Sequence, residues 1–467
     1  MTTTPDLNPE HESPNAAEIE RILANSWRVD VNGWIYTRLH GDPHQMGFQN
    51  GYLLAHEIES MLERIKLYVE GAYKRNWRFF CETGMQLYWP KLPEEYRTEI
   101  KGVVAGTRAR QVSNIGLEDI VALNGFFDTV SYHYWLRAKE GQTPSASGGE
   151  EHCSAFIATG ESTKDGKIIL AHNTWFWYLW AVGYNIIVDA SPTSGNEFLM
   201  QTCPGIICSG TDWYLSKSGL VVAETTISGM TTFNPRGTPY FMRARRAIQY
   251  AKTVDEWVTT MVKDNNGGYA NDWLIGDIKT GEVACLELGT FNYDLDRTFD
   301  GAFMGSNVAT SEKVRGETAL DYGEMSASHT ARRERWKQIM ESSRGILDVG
   351  VARKFLADHH DTHSGSERPN RNTICGHVEL DNRGYPEWEQ RPYSPMGAHD
   401  GKVTSGDLAS TGAFWAHWGA PCDTPFIADS FLNQHPEHNW QKPRLRSIEP
   451  YPWTLFSTYP KWATSRI

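Results

Sequence analysis

A run of turn-forming residues from Gly141 to Glu151 separates two parts of the sequence that differ in hydrophobic periodicity. The run reads GQTPSASGGEE and is followed almost at once by Cys153 and a strand-like segment. Such a composition is typical of an exposed, flexible loop or linker in which chain cleavage is tolerated. Helical periodicity dominates before the run and strand periodicity after it, so the fold must combine a helical part with a sheet-rich part.

Residues 25–152 are expected to form a helical N-terminal segment. The preceding residues 1–24 are rich in Pro, Asn, Glu and Thr and predict a disordered tail. Apolar residues recur every three to four positions over residues 44–77, which indicates an amphipathic helix. A second helix is predicted from Pro93, because proline suits the first turn of a helix, and a third over residues 117–135.

Strands dominate from Cys153 onward. Residues 153–159 and 167–173 predict two strands joined by a turn at residues 164–166. From about residue 364 the chain is rich in Pro, Gly and Asn, and we expect a mostly irregular segment that covers the rest of the region 153–467. This order indicates an α+β fold, because a doubly wound sheet would show regular βαβ alternation.

Charge and hydropathy exclude two classes of protein. The 467-residue chain carries 45 Lys+Arg against 57 Asp+Glu, a net charge of -12, and nucleic acid binding requires a clustered basic surface. The mean hydropathy is -0.50, and no apolar run approaches the ~18 residues of a membrane-spanning helix. We therefore expect neither a nucleic-acid-binding protein nor an integral membrane protein.

The seven cysteines are scattered and form no CxxC pair. Residues 1–15 contain neither the basic nor the apolar stretch of a secretory signal. Reduced, mostly buried thiols are therefore expected, and a structural zinc site is not. The sequence predicts no cofactor.

Cys153 is the position with the largest chemical consequence. Cleavage of the peptide bond between His152 and Cys153 would leave Cys153 with both a thiol and an α-amine. An α-amine has an unperturbed pKa of about 7.7–8.0 and can take the thiol proton itself, without a separate histidine base. Position and composition alone favour the alternative, a buried strand cysteine.

A series of motifs, in order along the chain, resembles the phospholipase B-like family, whose members are N-terminal-nucleophile (Ntn) hydrolases. The most specific are HCSA at residues 152–155 and LAHNTW at 170–175. Weaker blocks follow in register: CPGIICSGTDWY at 203–214, SGLVVAETTI at 218–227, GYANDW at 268–273 and DGKVT at 400–404. The helical N-terminal part carries no equally sharp motif.

The resemblance implies an αββα sandwich, in which two antiparallel sheets lie between layers of helices. It implies that the precursor cleaves itself before Cys153, whose thiol attacks the carbonyl of His152 in an N-to-S acyl shift. The same thiol would then attack an ester or amide of a lipid-like or N-acyl small molecule, and water would release the acyl group. The amphipathic helices should keep the cleaved N-terminal fragment bound, because they need an apolar partner.

Matching motif positions adds further candidate residues near Cys153. His172 and Asn173 end the second strand of the hairpin, so cross-strand geometry can bring them beside Cys153, where they would orient the amine or bind the leaving group. A satisfied polar pair at a strand end is the alternative. Asp212 would hold the free amine, or it is simply a turn residue.

Three motif positions are candidates for substrate contact, and a fourth for the oxyanion hole. Trp175 would wall the acyl pocket, although a core tryptophan is an equal alternative. Thr225 and Thr226 alternate faces, so only one can point at the site. Asn271 would supply the oxyanion hole, where a fixed amide N–H is worth about 2.7–4 kcal/mol, or it is a turn or bulge residue.

Other functions and partners stay open at this stage. A penicillin-acyltransferase-type enzyme would transfer acyl groups to amines, and a self-cleaved Ntn fold without turnover would only bind ligand. The string DHHDTH at residues 358–363 contains metal-ligand residue types, but such strings usually form a solvated helix end, and no metal is expected. The animal family members are lysosomal and glycosylated, whereas this sequence indicates a cytoplasmic, microbial enzyme. A homo-oligomer is left open.

Overall fold

The structure is a computed structural model that describes residues 14–141, 152–384 and 391–458, without the side chain of His152. The strands are β1 (Trp27–Val31), β2 (Trp34–Gly41), β3 (His152–Gly160), β4 (Gly166–Trp177), β5 (Ile186–Pro192), β6 (Phe198–Thr202), β7 (Trp213–Ser216), β8 (Leu220–Thr226), β9 (Asn271–Asp277), β10 (Glu282–Leu288), β11 (Tyr293–Thr298), β12 (Gly301–Gly305), β13 (Met396–Ala398), β14 (Asp400–Ser405), β15 (Ala413–Trp418) and β16 (Thr454–Ser457).

The α-helices are α1 (Ala16–Leu23), α2 (Pro43–Leu53), α3 (Ala55–Ala72), α4 (Trp77–Thr83), α5 (Glu94–Ala109), α6 (Leu117–Asn124), α7 (Phe126–Lys139), α8 (Tyr178–Ala181), α9 (Tyr240–Tyr250), α10 (Val254–Val262), α11 (Glu312–Arg315), α12 (Ser328–Ser342), α13 (Val349–Leu356), α14 (Gly406–Ser410) and α15 (Ala428–Gln434). Within the described ranges, none of them combines the length and the apolar character needed to cross a bilayer.

The strands form two sheets that lie face to face. The large sheet has the order β1-β2-β5-β6-β7-β8-β9-β10-β11, and the small sheet has the order β12-β3-β4-β14-β15-β16 with β13 beside β4. All pairs are antiparallel except β2 with β5. Trp213 of the large sheet contacts Phe414 of the small sheet, with ring centroids 5.5 Å apart. Side chains from both sheets thus fill one shared core, as in a β-sandwich.

Helices cover the outer face of each sheet. On the large sheet, Trp273 of β9 packs against Tyr240 of α9 and Trp257 of α10, with ring centroids 6.0 and 5.7 Å apart. On the small sheet, Phe156 of β3 packs against Trp336 of α12 at 5.3 Å. The α+β class and the αββα sandwich expected from the sequence are therefore confirmed.

The N-terminal segment differs from the sequence prediction in two places. Residues 16–23 form α1, where a disordered tail was predicted to residue 24; Asn15 and Glu18 cap this helix with reciprocal side-chain bonds. Residues 27–41 form the hairpin β1–β2 rather than part of a helical segment. Its turn, Asn32-Gly33, has φ of 47° and 79°, the hairpin turn that an Asn-Gly pair favours. Residues 1–13 lie outside the described residues.

The predicted helices over residues 44–77, from Pro93 and over residues 117–135 correspond to α2–α3, α5 and α6–α7. The two strands predicted at 153–159 and 167–173 correspond to β3 and β4. The loop predicted between Gly141 and Glu151 falls on residues 142–151, outside the described part of the chain.

The C-terminal segment is less irregular than predicted. From residue 364 it contributes β13, β14, β15 and β16 to the small sheet, along with α14 and α15. These strands have three to six residues each, and β14 pairs with β4, more than 200 residues away in sequence. Short strands stabilised by distant partners leave a weak local signal, which the Pro- and Gly-rich connections hide.

Helices α2 and α5 cross at unusually close range over four glycines. A Cβ atom at Gly47 or Gly51 would overlap main-chain carbonyl groups of α5, and one at Gly102 or Gly106 would overlap main-chain atoms of α2. The two backbones are therefore in direct contact, and only glycine fits at these positions.

We predict that Gly106→Ala destabilises the protein by about 1–3 kcal/mol, because the added methyl group forces the helices apart. The loss should appear although alanine is the better helix former by about 0.8–1.0 kcal/mol. Chemical denaturation monitored by circular dichroism measures the change. Gly350→Ala, at an exposed position of α13, is the matched control and should be neutral or slightly stabilising; equal effects of both variants would contradict the packing argument.

Candidate active site

The β3–β4 hairpin places its residues on two faces. Cys153 pairs with Thr174 and Ala155 with His172, whereas Ser154 pairs with Asn173. Side chains alternate along a strand, so the residues Cys153, Thr174 and His172 share the inner face, which meets the large sheet. Directly opposed residues have Cβ atoms about 4.5–5.5 Å apart, which makes Thr174 the cross-strand neighbour of Cys153.

Hydrogen bonds hold the main chain of Cys153 on both sides. Its N–H donates to Oδ1 of Asn307 at 3.1 Å, and its carbonyl accepts from Nη1 of Arg332 at 2.7 Å. Nη2 of Arg332 also donates to Oδ1 of Asn307 at 2.9 Å, and Nδ2 of Asn307 donates to the carbonyl of Thr226 at 2.9 Å. Asn307 therefore connects the start of β3 to the end of β8. Sequence analysis missed both residues, because neither stands in a matched motif and both are more than 150 positions from Cys153.

A fully buried ion pair lies on the inner face beside Thr174. Nζ of Lys402 donates to Oγ1 of Thr174 at 2.7 Å and lies 3.0 Å from Oδ1 of Asp400. The other oxygen of Asp400 accepts from Nε2 of Gln201 in the large sheet at 2.8 Å. Lys402 of the DGKVT motif thus places a positive charge next to Thr174, the cross-strand neighbour of Cys153. The position of the motif in the sequence did not suggest this role.

The charges around this pair set the ionisation of their neighbours. Burial alone would raise the pKa of Asp400, but the Lys402 ammonium, with smaller contributions from His399 and His172, lowers it to about 2. Burial, followed by the charge of Lys402, lowers the pKa of His172 well below its ordinary value. His172 is therefore a neutral imidazole at physiological pH and cannot act as a cationic acid.

Asp212 lies at the start of β7 with its carboxylate buried. Its two oxygens accept hydrogen bonds from the hydroxyl groups of Tyr240 and Tyr269, at 3.0 and 2.9 Å. Its φ of 60° lies in the left-handed region, which for a residue other than glycine often marks a functional constraint. The turn position that the sequence analysis gave as the alternative is present, and the two tyrosines hold the buried side chain there.

Thr225, Thr226 and Asn271 lie where β8 ends and β9 begins. Thr226 and Asn271 form a cross-strand pair, and Thr225 lies on the opposite face, against Gly305 of the small sheet. The side-chain atoms of Asn271 are buried and have no hydrogen-bond partner among the described residues. By alternation Asn271 shares the face of Trp273, on the helix side of the large sheet, while the carbonyl of Thr226 is the group that Asn307 joins to Cys153.

Asn173 and Trp175 lie on the outer face of the hairpin, away from the side chain of Cys153. Oδ1 of Asn173 accepts from the N–H of Ser154, and its Nδ2 donates to the carbonyls of Leu356 and Ile374, at 3.2 and 3.0 Å. Nε1 of Trp175 donates to the same carbonyl of Ile374 at 3.2 Å. Asn173 was predicted to orient the amine or bind the leaving group, and Trp175 to wall the acyl pocket. Strand alternation instead makes both residues anchors of the hairpin on the segment after α13, which agrees with the alternatives of a satisfied polar residue and a core tryptophan. The main chain of His152 pairs with Trp175.

Most side chains of residues 358–363 form ion pairs or hydrogen bonds with nearby residues. Asp358 binds the guanidinium of Arg335 at 2.6 Å, His360 lies 2.6 Å from a carboxylate oxygen of Glu367, and Asp361 accepts bonds from its own loop. His359 is the exception, because its ring lies 5.5 Å from that of His377 in a different cluster.

Comparison with known proteins identifies related sequences. A family model described as Phospholipase B matches residues 45–287. An uncharacterized protein of Archaeoglobus fulgidus is 25% identical over 266 residues, which cover 54% of this chain and 42% of that protein. Phospholipase B-like protein F of Dictyostelium discoideum is 33% identical over 124 residues, 24% of this chain and 22% of that protein.

A putative phospholipase B-like 2 of Bos taurus is 28% identical over 152 residues, 28% of this chain and 25% of that protein. This chain therefore spans less than half the length of these curated relatives. Among solved structures, a mutant of the conjugated bile acid hydrolase from Clostridium perfringens aligns with a TM-score of 0.33 and 10% identity, covering 65% of this chain and 97% of that one.

We predict that Lys402→Met destabilises the protein by about 3–5 kcal/mol, because it leaves the Asp400 carboxylate buried without its cation. Urea denaturation at neutral pH measures the loss, and the double variant Lys402→Met/Asp400→Asn should recover part of it. Lys167→Met is the matched control, since its partner Asp407 and Lys167 itself are exposed, and it should change stability by less than about 1 kcal/mol. A Lys402 variant as stable as this control would contradict the role of the pair.

We predict that stability falls as the pH is lowered from about 6.5 to about 4. Burial, opposed by Asp400 and reinforced by Lys402, lowers the pKa of His399 to about 4, whereas an unfolded histidine has a pKa of about 6.5. The unfolded chain then binds the proton first, so His399 alone removes up to about 3 kcal/mol over this interval. Melting temperatures across this pH range test the effect. His399→Asn should flatten the dependence, the exposed His56→Gln should not, and identical curves for both would refute the assignment.

Proposed function

We propose that this chain, which belongs to the phospholipase B family, is a self-processing cysteine hydrolase of the Ntn type with Cys153 as its nucleophile. The observation that carries the proposal is the position of Cys153. It lies at the buried start of β3, with its main-chain nitrogen held by Asn307 and its carbonyl by Arg332. These contacts would fix an α-amine and a thiol on the same residue, as catalysis by an N-terminal cysteine requires.

Maturation begins when the thiol of Cys153 attacks the carbonyl carbon of His152. The peptide C–N bond breaks, the acyl group moves to sulfur, and the released nitrogen becomes the α-amine of Cys153. Water then hydrolyses the thioester, which frees the carboxylate of His152 and restores the thiol. Throughout these steps Oδ1 of Asn307 accepts a hydrogen bond from the nitrogen that changes from amide to amine.

Turnover uses the same two groups. The α-amine takes the proton of the thiol, the thiolate attacks the substrate carbonyl, and the resulting ammonium returns the proton to the leaving alkoxide or amine. Water releases the acyl group from Cys153 in a second, equivalent step. The Lys402 ammonium, one side chain away through Thr174, favours the thiolate electrostatically, and the Asp400 carboxylate 3.0 Å from it weakens this effect.

The substrate is proposed to be a lipid-like ester or an N-acyl amide. Asn271 is the proposed donor to the oxyanion, because its buried amide has no other hydrogen-bond partner among the described residues. Since strand alternation turns its side chain to the helix side of the large sheet, this role requires the amide to reach the substrate around the end of β9. It is the first residue of β9 and pairs with Thr226, whose carbonyl Asn307 joins to Cys153. Asp212, held by two tyrosines, would supply the negative potential that keeps the ammonium of Cys153 charged between the two proton transfers.

We predict that the purified wild-type chain separates under denaturing conditions into residues 1–152 and 153–467, with masses that add up to 52.9 kDa plus one water. Cys153→Ala should stay uncut and inactive, and Cys153→Ser should process slowly. Cys285→Ala is the matched control and should be cut like wild type, since burial raises the pKa of Cys285 well above its ordinary range and makes it a poor nucleophile. Intact-mass spectrometry distinguishes cut from uncut chains, and cleavage of the Cys153→Ala variant would overturn the mechanism.

Under native conditions we expect the two fragments to elute together, because β2 before the cut pairs with β5 after it over residues 35–41 and 186–192.

We predict that Asn271→Ala lowers kcat by about 10²–10³ with a smaller change in KM, because an oxyanion donor acts on the transition state. Product release from a phospholipid and from an N-acyl amino acid, measured by mass spectrometry on processed enzyme, gives both constants. Asn114→Ala, at an exposed position, is the control. An unchanged kcat would remove Asn271 from the mechanism. Acyl transfer to an added amine in place of water would identify an acyltransferase, and labelling of Cys153 without product release would identify a binding protein.

A further inference from the structure

Four side chains with metal-binding atoms converge outside the candidate active site. His359, Cys375, His377 and Cys422 each offer one ligand atom, and these four atoms all lie within 4.8 Å of one another. They come from three distant segments: the end of α13, the stretch before residues 378–380, and the turn after β15. Cys375 and His377 are buried and the other two are partly buried, so the cluster is closed by protein on most sides.

The spacing of the donor atoms fits a tetrahedral ion. Nε2 of His377 lies 3.6 Å from Sγ of Cys375 and 3.4 Å from Sγ of Cys422. Zinc–sulfur and zinc–nitrogen bonds of about 2.3 and about 2.0–2.1 Å at tetrahedral angles place sulfur and nitrogen about 3.6 Å apart. The observed separations match this distance to within 0.2 Å.

Neighbouring groups orient the ligands. Nδ1 of His377 lies 2.8 Å from a carboxylate oxygen of Glu379, which leaves Nε2 as the ring nitrogen facing the two sulfurs. A carboxylate on the second nitrogen of a ligating histidine is the usual outer contact of zinc sites.

We propose that His359, Cys375, His377 and Cys422 bind a structural zinc ion. Two thiolates and two imidazoles in tetrahedral arrangement are a preferred ligand set of zinc, and four protein ligands leave no open position for catalysis. Sequence analysis expected no such site because the cysteines form no CxxC pair; the ligands combine a Cys-x-His pair with single residues before and after it.

The ion would fix the segment that supports the hairpin carrying Cys153. Ile374, next to Cys375, offers the carbonyl that Asn173 and Trp175 bind from the outer face of β4. Gly376, between two of the ligands, lies directly against the ring of Trp175, since a Cβ atom there would overlap it. Zinc binding therefore stabilises the outer face of the hairpin, whatever reaction takes place on its inner face.

The test is the metal content of the full-length wild-type chain after expression with zinc and extensive dialysis. Inductively coupled plasma mass spectrometry should find about one zinc per chain. Replacement of zinc by cobalt should produce a thiolate-to-cobalt charge-transfer band and the intense visible bands of a tetrahedral site. Stripping the metal with a chelator should lower Tm by several degrees, and added zinc should restore it.

Variants test whether zinc is bound by the cluster or by other cysteines and histidines of the chain. Cys375→Ser and Cys422→Ser should each lower zinc occupancy at least tenfold, whereas Cys81→Ser and His360→Gln, in the same chain but outside the cluster, should keep it. The zinc content of the wild-type chain tests the proposal even if a variant fails to fold. Wild-type protein without zinc, protein that binds another metal in preference, or a mass two hydrogens lower from a Cys375–Cys422 disulfide would each overturn the proposal.

Discussion

The ion pair between Lys402 and Asp400 is the contact around which the candidate site is organised. Both side chains are fully buried between the sheets, and such a pair persists only when its remaining hydrogen bonds are satisfied. Thr174 and Gln201 satisfy them, one from each sheet. The pair thereby joins the two sheets near Cys153, and its positive charge adds to the effect of burial in lowering the pKa of the neighbouring His172.

The two parts of the chain on either side of the proposed cleavage point form one structure. Strand β2 lies inside the large sheet and pairs with β5 over residues 35–41, and α2 and α5 pack against each other through direct backbone contact. The N-terminal segment is thus a structural part of the sandwich, and not a helical appendage. Strand β3 itself takes its position from β4 and β12, both of which follow it in the sequence.

The hairpin β3–β4 performs two tasks on its two faces. The inner face carries Cys153, Thr174 and His172 toward the charged groups between the sheets. The outer face carries Asn173 and Trp175, which bind the segment held by the proposed zinc ligands. A rigid support behind a nucleophile matters, because catalytic geometry tolerates errors of only about 0.5 Å.

The sequence alone determined the α+β class, the hairpin opened by Cys153, the main N-terminal helices and the family, because periodicity, turn residues and local motifs are encoded over a few adjacent positions. The Asn32-Gly33 pair is likewise a local signal, for the hairpin β1–β2. Only the tertiary structure decided that Asn307 and Arg332 hold Cys153, that Lys402 lies beside Thr174, and that His359, Cys375, His377 and Cys422 meet. It also showed that Asn173 and Trp175 lie on the outer face of the β3–β4 hairpin. These contacts join residues that are tens to hundreds of positions apart, and their geometry depends on strand register and sheet packing, which no local pattern records.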